Sequence, residues 1–380
     1  MHTNRSTLLK PVFFAPHCFS LFTGILLIAL ASLFLPNSSY AQGCIALRSL
    51  GQAGGLDIHQ AATQSHTWEI GLDFRYFRSF RHYVGTVQQK QRVALGNNVI
   101  NHAYTGDLNL SYGLNTRWSF NAQLPIDYFM RSQLIKGTDQ REHTHAKGIG
   151  DLRLSADYWL LNPLTHHSGN WQLGVGIKLP TGKDDVRDSF YTKNQDGSLS
   201  ARFLTVDQSI QPGDGGLGVS LELNGYQELG KATYAYGNFF YLLNPRESNG
   251  VPTYRDSYNP FESIMSVADQ YMARVGVSYF PQRFSGFSAS LGGRIEGIPV
   301  HDLIGGSEGF RRPGYVISVE PGLSYMYRHS EWDFSAPIAA IRNRTWSVPD
   351  QEKTAATGVY SHGDAAFADF LLSASYRYRF

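Results

Sequence analysis

The segment Ala366-Phe367-Ala368-Asp369-Phe370-Leu371-Leu372-Ser373-Ala374-Ser375-Tyr376-Arg377-Tyr378-Arg379-Phe380 decides how the rest of the chain is read. Ala366, Ala368, Phe370, Leu372, Ala374, Tyr376, Tyr378 and Phe380 recur at two-residue spacing; Phe367, Asp369, Leu371, Ser373, Ser375, Arg377 and Arg379 fall between them. Successive strand side chains point to opposite faces, so this is a strand with one apolar, aromatic-ended face and one increasingly polar face. As an open edge in a soluble domain such a strand invites aggregation. In a barrel it is paired on both sides, and its apolar face meets lipid.

Upstream the same alternation recurs. Trp68, Ile70, Leu72, Phe74 and Tyr76 alternate with Glu69, Gly71, Asp73, Arg75 and Phe77, and Trp118, Phe120, Ala122, Leu124, Ile126 and Tyr128 with Ser119, Asn121, Gln123, Pro125 and Asp127. Further apolar series begin near Tyr104, Leu152, Trp171, Leu217, Tyr271, Phe287, Tyr315 and Trp332; Ala232–Leu243 is a strand of uncertain phase. With the terminal segment this makes about twelve strands.

The connections alternate in length. Short ones fall near Asn115, Asn162–Asn170, Glu228–Lys231, Pro281–Ser285 and Arg328–Glu331; long ones near Arg81–Val99, Arg131–Gly148, Thr181–Gly213, Asn244–Ser266, Ile298–Pro313 and Ser347–Gly363. Short periplasmic turns against long external loops are the pattern of an outer-membrane barrel. Trp68, Trp118, Trp171 and Trp332 open strands at the short-turn end, and Tyr112, Tyr158, Tyr226, Tyr279 and Tyr327 close them there. Trp and Tyr favour the membrane–water interface, whereas general β-propensity of aromatics does not gather them at one end. The expected fold is all-β, a transmembrane antiparallel up-and-down β-barrel of about 12 strands.

Composition agrees. Among 380 residues 17% are charged, 13% are aromatic and the formal net charge is +2, which excludes a nucleic-acid binder and a disordered chain. Residues 1–41 are expected to be a cleaved secretory signal peptide, with Arg5 and Lys10, an apolar run Phe19–Leu35, and Ser39-Tyr40-Ala41 before the cut. A retained anchor is the competing reading, with Phe19–Leu35 near the lower length limit for a span. Cys18 leaves with that segment and Cys44 remains alone, so no internal disulfide is expected. Residues 42–65 are a periplasmic leader or a short plug, and 66–380 are the barrel, read as one domain.

In this phase the lumen receives Glu69, Asp73, Arg75, Asp107, Asp127, Asp151, Arg153, Asp157, Lys178, Glu222, Arg274, Arg294, Glu296, Glu320, Arg377 and Arg379. Facing lipid, such charges cost several kcal/mol each near the midplane. Facing inward, with signs mixed, they form either a salt-bridged structural interior or a selective path. Arg377 and Arg379 should meet Glu69 and Asp73 of the first strand where the sheet closes. A twelve-stranded barrel lies between those filled by side chains and those holding a wide channel.

Enzymatic signals are weak. His143 and His145 share a face without an evident third ligand; Asp184, Asp185, Asp188 and Asp214 could bind calcium but read as solvated loop residues. There is no Gly-x-Ser-x-Gly elbow and no His-x-Ser-Asn-Gly like that of outer-membrane phospholipase A. No catalytic residue, cofactor or metal is assigned, and the chain is read as a non-enzyme.

Two resemblances add to this. A terminal Phe380 with aromatics two and four residues earlier resembles the assembly signal of bacterial outer-membrane barrels, which implies the barrel-assembly machinery as a partner, beside outer-membrane lipid. Gly148-Ile149-Gly150-Asp151-Leu152, Gly174-Val175-Gly176-Ile177-Lys178-Leu179-Pro180-Thr181-Gly182, Pro313-Gly314-Tyr315, Glu320-Pro321-Gly322 and Gly363-Asp364-Ala365-Ala366-Phe367-Ala368-Asp369 resemble the outer-membrane barrel family named for the meta-pathway of phenol degradation. That resemblance implies a transporter-like barrel for hydrophobic or aromatic compounds, and transfers no catalytic residue. The expected function is a passive channel or uptake route for small molecules in the bacterial outer membrane. The alternatives are a membrane-embedded hydrolase acting on lipids, or a structural or adhesive barrel binding a partner through loops such as 181–213.

Overall fold

The computed structural model describes residues 65–257 and 259–380. The expected signal peptide and most of the 42–65 segment, with both cysteines, lie outside the described residues. Strands follow one another in an antiparallel meander: β1 (Thr67–Val84), β2 (Ile100–Gly113), β3 (Trp118–Leu134), β4 (Arg141–Ile149 and Arg153–Trp159), β5 (Gly169–Lys178), β6 (Gly218–Gly230), β7 (Thr233–Leu243), β8 (Gln270–Tyr279), β9 (Phe287–Ile298), β10 (Gly314–Tyr327), β11 (Ser330–Ser335 and Ile338–Arg344) and β12 (Ala365–Arg379). The main sheet has 15 hydrogen-bonded segments. β4 and β11 are each interrupted once and Val87–Gln88 is a small flap on β1, which leaves a closed 12-strand barrel. No helix among the described residues is long and apolar enough to cross a membrane.

β12 closes the sheet against β1, with Glu69 opposite Arg379, Gly71 opposite Arg377 and Asp73 opposite Ser375. Backbone hydrogen bonds between Trp68 and Phe380, 3.0 and 3.1 Å, seal the turn end of this seam. Closure leaves no strand edge inside lipid, where each unpaired backbone group would cost several kcal/mol.

Polarity is inverted relative to a soluble domain. Leu72, Phe74, Ile126, Val175, Leu221, Val275, Leu291 and Leu323 are exposed, while Asp73, Arg75, Asp107, Asp127, Arg274 and Arg294 are buried. Alternation assigns the two sets to opposite faces of one wall. Aromatic pairs bound the apolar band. Trp68 packs on Tyr112 at 4.6 Å and Trp118 on Tyr158 at 4.7 Å near the short turns. Tyr76, Tyr104 and Tyr128 form a row across β1, β2 and β3 at the other border, with centroids 4.8 and 6.2 Å apart.

Several expectations need correction. Tyr226 does not join the outer girdle. It shares the face of Glu222 and Asn224 and is buried against Trp159, at 6.0 Å. The supposed long loop Arg131–Gly148 shrinks to residues 135–140, because β3 and β4 run on past the apolar band. There Glu142, Thr144 and Ala146 are buried while His143, His145 and Lys147 are exposed, so both faces are polar and apolar alternation disappears. β7 lacked a clear phase because both faces carry aromatics: Phe239 is exposed, while Tyr236 and Phe240 are buried. Gly276 and Gly292 make room for the Tyr236 ring; a Cβ at Gly292 would lie 3.3 Å from its Cζ.

The long loops carry their own structure. Arg187–Lys193 pairs with Leu199–Thr205, and Ser248–Pro252 with Ile264–Ser266. A helix at Val348–Thr357 is started by a Ser347–Asp350 capping box and stopped by Gly358 at φ 68°.

Candidate functional site

The sixteen charged residues singled out from the sequence gather in five groups along the wall. At the seam, Arg379 Nε donates to Glu69 at 2.6 Å, and Arg377 approaches Asp333 at 3.0 Å, Asp73 at 3.4 Å and Glu69 at 3.8 Å. Arg75 lies 3.6 Å from Asp107, and Asp127 accepts a 2.7 Å hydrogen bond from Thr105. Arg153 donates to Glu222 at 2.6 Å and covers the Phe240 ring at 4.7 Å, while Asp157 accepts from Asn121. Lys178 is held between Asp214 and Asp151. Glu320 faces Arg274 at 3.5 Å and Arg294 at 3.7 Å, and Arg294 also binds Glu296 at 2.7 Å.

Sequence reasoning missed Glu331 and Asp333, which are buried beside Arg379 and Arg377. The signal was present, since both fall opposite Trp332 and Phe334 in the same strand. Asn224, Asn238 and Gln172 were also missed; Arg274 donates to Asn238 at 2.8 Å, Asn238 to Asn224 at 3.0 Å and Asn224 to Gln172 at 3.3 Å. Both carboxylate oxygens of Asp107, Asp157 Oδ1 and Glu320 Oε2 are buried and accept no hydrogen bond from the protein. Buried carboxylate oxygens without protein donors are met by water or hold a proton.

The two ends of this ionic zone are less polar. Near the short turns Trp159 and Tyr226 are buried, with Tyr234 packed on them. Toward the long loops Ala103, Phe129 and Ala146 form a buried cluster with Val206 and Ile210 from the β5–β6 loop, with Phe77 beside it.

Two of the glycine motifs meet in space. β4 breaks at Gly150-Asp151-Leu152, where Gly150 N donates to Pro125 O and Leu152 N to Thr181 Oγ1, both at 2.8 Å. Asp151 accepts from Gly182 N at 2.9 Å and from Asp214 N at 3.2 Å. The Gly182 and Gly213 backbones touch: a Cβ on Gly182 would lie 2.8 Å from Gly213 Cα and 2.9 Å from Gly150 C. The β5–β6 loop is therefore clamped at its base to the break in β4.

Its far part is latched by Asp207. Arg312, from the β9–β10 loop, donates to both Asp207 oxygens at 2.7 and 2.6 Å, and Arg131 of β3 lies 3.4 Å away. Burial raises the pKa of this carboxyl, but the Arg131 and Arg312 charges overcome it and hold it well below its usual 3.8. A depressed carboxyl pKa contributes stability that is present above the unfolded value and lost as pH falls through the folded one. Amide protection over 206–211, corrected for intrinsic exchange, should therefore be the same at pH 7 and near pH 4. A fall already complete by about pH 5 would contradict the latch.

Three of the other candidates, His145, Asp188 and Asp214, have local partners. Exposed His145 donates its backbone N–H to Asp188 at 2.7 Å and lies 3.5 Å from the same carboxylate, and Asp214 pairs with Lys178. Among the described residues no group of three or more His, Cys, Asp or Glu is placed to hold a metal.

No protein-family model matches the chain, and no curated protein matches it. Among solved structures, an outer-membrane channel from Pseudomonas putida F1 is similar over 87% of this chain and 100% of its own, at 12% identity and TM-score 0.57. That is a likeness of fold. The toluene transporter of Pseudomonas putida (89% and 98% covered, 11% identity, TM-score 0.45) and the translocator domain of an autotransporter from Neisseria meningitidis (96% and 97%, 9%, 0.42) are more distant in fold.

Proposed function

We propose that the chain is an outer-membrane channel that passes small molecules down their gradient, with hydrophobic or aromatic compounds as cargo. The observation that carries the channel is the inverted wall: apolar and aromatic-bordered outside, ionic inside, with buried carboxylate oxygens on Asp107, Asp157 and Glu320 that no protein donor meets; the cargo class rests on the resemblance to the phenol meta-pathway barrels. A barrel kept only as a scaffold has no need of so much charge at its centre, because apolar packing often replaces buried ion pairs without loss of stability. The sixteen charged residues, joined by Glu331 and Asp333, line the path. The short turns face the periplasm and the long loops the exterior. Residues 1–41 direct export, 42–65 precede the barrel, and the strand ending at Phe380 is the segment offered to the assembly machinery.

Purified protein in planar bilayers should give discrete conductance steps, and silence under all voltages and salts would sink the channel reading. Arg153→Glu and Arg274→Glu each place a negative charge beside an existing carboxylate, Glu222 and Glu320. Both should move the zero-current potential in a salt gradient toward cation selectivity.

A further inference from the structure

On β3 the buried positions read Asp127, Phe129, Arg131, so an apolar collar one residue deep separates two charged levels. Phe77 on β1, Ala103 on β2 and Ala146 on β4 continue the collar. The collar is an arc across four adjacent strands, and an apolar surface inside a charged interior favours an apolar cover. Here the cover belongs to the protein. Val206 and Ile210 of the β5–β6 loop are 0% and 1% exposed and pack on the collar. Asp207, between them, is tied to Arg131 on the wall and Arg312 on another loop. The same loop segment thus supplies both the apolar cover and the charged tie.

Resting on the channel reading, we propose that Val206–Ile210 is a gate whose own side chains occupy the binding site of a small uncharged apolar or aromatic solute. The site is the collar of Phe77, Ala103, Phe129 and Ala146. A neutral apolar molecule can replace Val206 and Ile210 there without burying a charge, and displacing the segment leaves the rest of the lumen free of it. Asp207 is the latch. Withdrawing the segment pulls its carboxylate from two guanidinium groups, which sets how seldom the gate opens unaided.

The experiment compares wild type, Asp207→Asn and Val206→Ala/Ile210→Ala in planar bilayers, with indole as the probe solute. Heat-modifiable gel mobility establishes that each is a folded barrel. Asp207→Asn loses charge-assisted hydrogen bonds, and its open fraction should rise about tenfold. Val206→Ala/Ile210→Ala should open to a similar degree. Indole should raise the open fraction of wild type severalfold and leave that of Val206→Ala/Ile210→Ala unchanged, because its site is already vacated. Folded variants that keep the wild-type open fraction, or an indole effect equal in wild type and Val206→Ala/Ile210→Ala, overturn the gate alone. Silence of all three proteins overturns the gate together with the channel reading.

Discussion

Arg377→Leu should destabilise the barrel by about 3–5 kcal/mol, the range for removing one partner from a buried ion cluster. The Arg377 side chain is buried and lies within 4 Å of Asp333, Asp73 and Glu69. Its loss leaves Asp73 and Asp333 buried without their cation. Arg379 cannot take over, because it is already engaged with Glu69 at 2.6 Å and Glu331 at 3.5 Å. Urea unfolding in lipid vesicles measures the effect, and a loss below about 1 kcal/mol would place Arg377 among weakly coupled surface charges. Arg377→Leu combined with Asp333→Leu and Asp73→Leu should recover much of the loss, since the penalty lies in the stranded charges more than in the missing attraction.

Gly213→Val should release the β5–β6 loop. A Cβ at this position falls on the Gly182 carbonyl and lies 2.9 Å from Asp151 Oδ1, so the two backbones must part. Overpacking of this kind costs about 1–3 kcal/mol, and here it also threatens the Asp151 hydrogen bonds to Gly182 N and Asp214 N. Limited proteolysis should cut within residues 183–212 at least tenfold faster than in wild type, as about 1.4 kcal/mol of lost closure would give. Gly293→Ala is the matched control, because nothing lies within 4 Å of a Cβ there. Equal cleavage rates in Gly213→Val and Gly293→Ala would mean that the clamp does not hold the loop.

The barrel was legible in the sequence where lipid imposes a rule on the outer face. Within the apolar band each strand must alternate, so β1, β3 and β12 could be read directly. Above the band the rule lapses. The Arg141–Ile149 half of β4 is strand without apolar alternation, and sequence reading took it for loop. Tyr226 went wrong for a different reason: proximity to a turn suggested the girdle, whereas its parity with Glu222 placed it inside. The ionic clusters were legible one residue at a time, through parity, and as pairs only at the seam, where closure puts Arg377 and Arg379 beside Glu69 and Asp73. The latch was invisible because Asp207 and Arg312 are 105 residues apart on different loops, and no local pattern links them.

The seam has a kinetic consequence. Its hydrogen-bonded ion contacts, Arg377 to Asp73 and Arg379 to Glu69, join residues 304 and 310 positions apart. Contacts of such sequence separation carry the largest loop-closure entropy and form late. Until they form, β1 and β12 are two bare edges, each open to pairing with another chain. The nascent sheet therefore has a single final step that converts an adhesive intermediate into an inert cylinder. Substitutions at Glu69, Asp73, Arg377 or Arg379 should lengthen the lifetime of that intermediate, so aggregation of the unclosed chain during refolding into lipid is where they show first.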